Sequence, residues 1–219
     1  MEALKKPETS YRRRRKLGAL LYFSAVQYFL VQFVTGLRFS PRYSLANNTI
    51  SDLGNSSCAV FNGRSTCSPL HTFMNVSFLT LGMAMIAGSV LLHNQYKKSR
   101  NATAGFGLFA VGGFGTVFVG LFPENTVLAL HSMGATLPFL FGNVGVVILG
   151  ASLKLPKAMA VYSVFSGMVA LTALAIYVSG HYVGLGKGGV ERLVAYPQTI
   201  WMVVMSAYFF VTSSRPTSD

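Results

Sequence analysis

Apolar residues along this chain come in long unbroken runs rather than in the alternation of a half-buried strand or the stripe of a surface helix. Six runs, at residues 17–36, 69–92, 104–122, 126–152, 158–179 and 197–213, stand between short polar segments. At about 1.5 Å of rise per residue, about 20 apolar residues cross a hydrocarbon core of roughly 30 Å. The pattern predicts an all-α polytopic membrane protein with six transmembrane helices. On this reading 1–16 is a basic tail, 37–68 is the longest loop, and 214–219 is a second tail.

Interruptions within the runs carry further expectations. Pro138, between Gly134 and Gly142, predicts a kink near the middle of the fourth span, with Asn143 placed to bond a freed backbone group or a neighbouring helix. Gly112, Thr116 and Gly120 form a row of small residues that lets another helix approach closely. Gln27 and Gln32 are expected to face other helices. Trp201 reads as an interfacial anchor near the start of the last span.

Composition agrees with the pattern, since 52% hydrophobic content over 219 residues is wrong for a soluble domain. Charge adds topology. Net charge is +12, but the basic residues lie between spans and not along one soluble face, which argues against nucleic acid as a partner. Placing both termini in the cytoplasm leaves only Arg38, Arg42, Arg64, Lys187 and Arg192 outside, as the positive-inside rule requires. The first span is expected to be retained as an anchor, and Arg12 to Arg15 to face anionic lipid. The expected location is the cell membrane, multi-pass, with membrane lipids as partners and a membrane protein or second copy as a further partner.

Cys58 and Cys67, the only cysteines, share the outer loop, and a disulfide there would contribute about 3 kcal/mol. The chain has six carboxylates; apart from Glu2, Glu8 and Asp219 near the ends, these are Asp52, Glu124 and Glu191, all on the outer side. His71, His131 and His181 fall there too, at the outer ends of three spans. His131, five residues past Thr126, is expected about 8 Å inside its span, a depth at which ionisable residues are functional candidates. Glu124, seven residues before it, shares its helical face if the helix extends that far. Spans 2, 4 and 6 start on the outer side, and their positive ends favour anions.

These placements predict an outward-opening polar pocket. Asp52, Glu124 and His131 are the candidate catalytic residues, and Ser51, Asn125, Glu191 and Arg192 the candidate ligand contacts. The favoured function is recognition or processing of an anionic lipid or small ligand. A second reading has His71, His131 and His181 binding zinc while Asp52 or Glu124 activates water for lipid hydrolysis. A third is a non-enzymatic structural or assembly subunit whose polar cluster pins loops to the bundle.

Three resemblances bear on these readings. In residue types the zinc reading resembles the intramembrane ceramidase and adiponectin-receptor superfamily, although that family's histidines paired at i and i+4 are absent. Ser179-Gly180-His181 resembles one motif of type 2 phosphatidic acid phosphatases, without that family's other motifs, and reads better as a helix C-cap. Ile50-Ser51-Asp52-Leu53-Gly54, Phe122-Pro123-Glu124 leading to His131, and Glu191-Arg192 ahead of Trp201 together resemble the six-span membrane proteins grouped as domain of unknown function 998. That resemblance covers nearly the whole chain and implies the fold without a reaction. The Ile-Ser-Asp-x-Gly piece is also similar to the Frag1/DRAM/Sfk1 membrane proteins, which implies an association with lipid.

Overall fold

A computed structural model describes residues 5–61 and 63–213; the ends of both tails, 1–4 and 214–219, lie outside the described residues. Six helical segments are long and apolar enough to cross a membrane. The first pass is made of α1 (Lys5–Phe23) and α2 (Val26–Leu37), which meet at Ser24 and Ala25. Its basic leading part is already helical, consistent with the good helix propensity of Arg and Lys. Arg15 donates to Thr212 at the far end of the chain and lies over the Phe209 ring.

Residues 38–70 return to the bundle through a single 3-10 turn at Ser51–Gly54 and a hairpin of β1 (Ala59–Phe61) and β2 (Arg64–Thr66). The Cys58–Cys67 disulfide closes the base of that hairpin, with Cα atoms 4.1 Å apart. Then follow α3 (His71–His93) and α4 (Arg100–Leu121), the latter capped by the Ser99 hydroxyl, which accepts from the Ala102 N–H at 3.2 Å.

Proline breaks the fourth pass. It consists of α5 (Leu128–Thr136), a π-helical turn at Leu137–Gly142 and α6 (Asn143–Ser152). Pro138 cannot donate a backbone bond, and the widened turn absorbs the misfit. Asn143 repairs it as the sequence suggests. Its amide donates to Phe139 O at 2.9 Å and also to Val194 O at 3.1 Å, on the last pass.

The bundle is completed by α7 (Lys157–Ser179), ended by Gly180 in the left-handed conformation at φ 73°, and by α8 (Gly186–Thr212). The last helix starts well before Pro197, where the apolar run begins, because the charged side chains of its first turns find partners inside the protein. This moves Trp201 about 22 Å along the helix from Gly186. Trp201 is therefore no interfacial anchor: it is 0% exposed, donates to Ser163 Oγ at 2.8 Å, and packs against Phe109 and Tyr22.

Central to the packing is α4, which touches α3, α5, the π turn and α6. Close approach explains its glycines: a Cβ on Gly115 would lie 2.3 Å from Gly134 O. Leu30, Phe33, Phe73, Phe165 and Val178 point outward, as side chains facing hydrocarbon do. The connections 38–70, 122–127 and 180–185 share one end, here the disulfide end, and Arg15 of α1 meets Thr212 of α8 at the other.

Gly115→Leu should force α4 from α5 and lower stability in detergent by about 3 kcal/mol or more. Gly107→Ala, where a Cβ meets nothing within 4 Å, should leave it unchanged or raise it by up to about 1 kcal/mol. Thermal melting of both variants checks the difference, and equal effects would contradict this packing.

Candidate functional site

At the disulfide end the chain buries its charges together. Asp52 is the first. Thr49 and Asp52 form a reciprocal capping pair: the Thr49 N–H donates to Asp52 Oδ2 at 3.0 Å, and the Asp52 N–H donates to Thr49 Oγ1 at 3.1 Å. Asn48 Nδ2 donates to the same carboxylate at 3.0 Å. Arg64, carried in on β2, completes it with Nε at 3.2 Å and Nη2 at 2.9 Å. Burial alone would raise the Asp52 pKa, but hydrogen bonds from Arg64, Glu124 and Asn48 outweigh it and hold it below the ordinary value.

Glu124 behaves in the opposite sense. Burial, then the hydrogen bond and charge of Asp52, push its carboxyl up to about 8, while Asn55 Nδ2 donates to its Oε1 at 3.1 Å. Two carboxyl groups this close cannot both ionise cheaply, so Glu124 keeps the proton and Asp52 the charge. Nearby, Asn125 ties its own connection to the hairpin base: it donates to Ser57 Oγ at 2.9 Å and to Ser56 Oγ at 3.3 Å, and accepts from Ser56 N at 3.1 Å.

On α8, Glu191 accepts the Ile50 N–H, and Ser51 Oγ lies 3.4 Å from its Oε1. Arg192 turns toward the same loop. Its Nη1 donates to Leu45 O, Asn48 O and Gly188 O at 2.8, 2.9 and 2.8 Å, and its Nη2 donates to the Tyr43 hydroxyl. The loop presses on the helix so closely that a Cβ on Gly188 would sit 2.0 Å from Asn48 O.

His131 joins α5 to the loop. Its Nδ1 is 2.8 Å from Phe122 O and its Nε2 is 2.9 Å from Ser51 Oγ. A carbonyl only accepts, so Nδ1 carries the hydrogen and Nε2 of the neutral ring accepts from the serine. His71 and His181 do not join it. His71 sits in the first turn of α3, and His181, on an exposed connection, donates from Nδ1 to the Ser179 carbonyl at 3.0 Å. Among the described residues no three His, Cys, Asp or Glu side chains gather into a ligand set, so His71, His131 and His181 are not brought together as the zinc reading needs.

Beside Ser51 and Glu191 lies a cavity of about 40 Å³, with Tyr28, Phe78, Met85 and Phe139 in its apolar wall. Gln198 also lines it, 5% exposed, and its Oε1 has no hydrogen-bond partner among the described residues. Sequence reasoning overlooked Arg64, Asn48, Asn55, Tyr43 and Gln198. Thr49-x-x-Asp52 and Asn48, four residues before Asp52, were local signals, whereas Asn55 meets Glu124 and Arg192 meets residues 43–48 from far along the chain.

The two carboxyl groups give stability opposite pH dependences. Glu124, raised from 4.5 to about 8, contributes fully below about pH 4.5, and that contribution is lost as pH rises through about 8. Asp52, depressed, contributes above its ordinary range and loses that contribution on acidification. Wild-type melting temperature should therefore fall between about pH 5 and about pH 9, and Glu124→Gln should flatten that limb. An unchanged slope in the variant would contradict a proton held by Glu124.

The family described as "Protein of unknown function (DUF998)" matches residues 18–208. Comparison with curated proteins found no match, and comparison with solved structures found none. The matched stretch runs from inside the first pass to inside the last and contains the whole polar cluster, so the chain belongs to the DUF998 family.

Proposed function

We propose that this multi-pass membrane protein binds, at its disulfide end, a lipid or small ligand whose polar end donates hydrogen bonds. One observation carries the reading: Glu191 and Gln198 are among the residues lining the apolar-walled cavity, and Gln198 Oε1, a buried acceptor, has no hydrogen-bond partner among the described residues. Leaving a buried acceptor unpaired costs about 1–3 kcal/mol, and a hydroxyl or amine on a ligand would remove that cost. An anionic headgroup fits less well. No Lys or Arg lines the cavity among the described residues, and both terminal nitrogens of Arg192 are committed to Tyr43 and backbone carbonyls.

On this reading the disulfide end faces outward and both termini are cytoplasmic. Supporting that orientation are the disulfide and the concentration of Lys and Arg at the opposite end. The cell membrane is the proposed location. A structural or assembly role is the second reading, favoured by how completely Asp52, Asn125 and Arg192 are occupied by the protein's own groups.

Purified protein in nanodiscs should be stabilised by added diacylglycerol, which supplies a hydroxyl donor, and not by phosphatidic acid. Gln198→Leu should weaken the diacylglycerol effect about 5-fold in concentration, the equivalent of about 1 kcal/mol. Stabilisation by phosphatidic acid instead would restore the anionic preference, and a response to neither lipid would favour the structural role.

A further inference from the structure

We propose that Ser51 is an acyl-transfer nucleophile and His131 its general base, acting on an ester-bearing lipid. The inference rests on the ligand site proposed above and names the chemistry performed there. A serine hydroxyl becomes a nucleophile when a base within hydrogen-bond reach takes its proton and a third group fixes that base. All three parts are present: Ser51 Oγ lies 2.9 Å from His131 Nε2, and His131 Nδ1 lies 2.8 Å from Phe122 O. The carbonyl fixes the ring's orientation and leaves Nε2 as the basic nitrogen.

The surroundings suit a reacting group. Ser51 is held from both sides, through the Ile50 N–H on Glu191 and through the Asp52 capping pair, so its backbone is fixed by groups other than its own hydroxyl. Ser51 lines the cavity and is half-buried. Most other bonds of the cluster hold a backbone group or a charge, whereas the Ser51–His131 bond joins two neutral side chains, one of them on a residue that lines the cavity. Glu191 Oε1, at 3.4 Å, is the more distant of the two acceptors for the same proton.

The chemistry balances with an ester and water. Ser51 Oγ bonds to the ester carbonyl carbon as its proton passes to His131 Nε2, while Nδ1–H stays on the Phe122 carbonyl. The tetrahedral adduct collapses, the bond to the alcohol oxygen breaks, and His131 returns the proton to that oxygen. Water, or a second alcohol, then attacks the acyl-serine with His131 as base, releasing the acid or a new ester and restoring Ser51. The released alcohol carries the hydroxyl donor that Glu191 and Gln198 would accept.

A long-chain alkyl fluorophosphonate, incubated with the full chain in nanodiscs, should form one covalent adduct that peptide mass spectrometry places on Ser51. Ser51→Ala should abolish it, and His131→Ala should slow it about 100-fold or more, the usual contribution of a general base. Ser51→Cys gives a second readout, because both native cysteines are in the disulfide and the new thiol would be the only one. Its alkylation by iodoacetamide should slow about 10-fold when His131→Ala is added. A protein that melts normally yet forms no adduct, or forms it equally in Ser51→Ala, overturns the proposal. If diacylglycerol still stabilises that unreactive protein, only the chemistry fails; if it does not, the ligand site fails with it.

Discussion

Removing the Arg192 guanidinium from water is the constraint on which the disulfide end depends. A buried cation costs several kcal/mol unless its donors are matched, and Arg192 is only 7% exposed. The partners of its two terminal nitrogens are not acids but carbonyls from residues 45, 48 and 188 and the hydroxyl of Tyr43, while its Nε has no hydrogen-bond partner among the described residues. Helix α8 and the 43–55 loop therefore form as one unit. With the loop seated, the Ile50 N–H meets Glu191, the Thr49–Asp52 pair closes, and Ser51 is delivered to His131.

Further ties make the unit stiff. Arg64 joins Asp52 to a hairpin already closed by Cys58–Cys67, and Asn55 and Asn125 join the loop to the connection between the third and fourth passes. Burial and the nearby Asp52 charge push the Glu124 carboxyl up, which links two connections through electrostatics and not through apolar contact. In the middle of the bundle, Pro138 accounts for the π turn, the Asn143 amide pairs carbonyls of two passes, and the buried Trp201 indole is paired by Ser163.

Legibility in the sequence followed the range of the interaction. Six passes, the Pro138 break and the role of Asn143 could be read because hydropathy and proline act locally. Asp52, Glu124, Glu191 and His131 were found because ionisable residues are scarce and were sorted to one end by topology alone. Arg192 was read as a ligand contact, and nothing local says that carbonyls 144 and 147 residues away accept its hydrogen bonds. Arg64 and Asn55 were missed for the same reason, and Trp201 was misplaced because charged residues ahead of Pro197 hid the start of α8. The hairpin strands, three residues each, are too short for a period to show.

Residues 48–55 are a buried, ordered part of the bundle, fixed by the carboxylates and by Arg192, and not a surface loop. Hydrogen exchange of the full chain in nanodiscs, read at the Thr49, Ile50 and Asp52 amides, tests it most directly. These amides should exchange as slowly as those of the buried helices, and Arg192→Met should accelerate all of them by on the order of 100-fold or more, as losing a buried charge's partners implies. Exchange at the rate of an open loop in the wild-type protein would contradict the account.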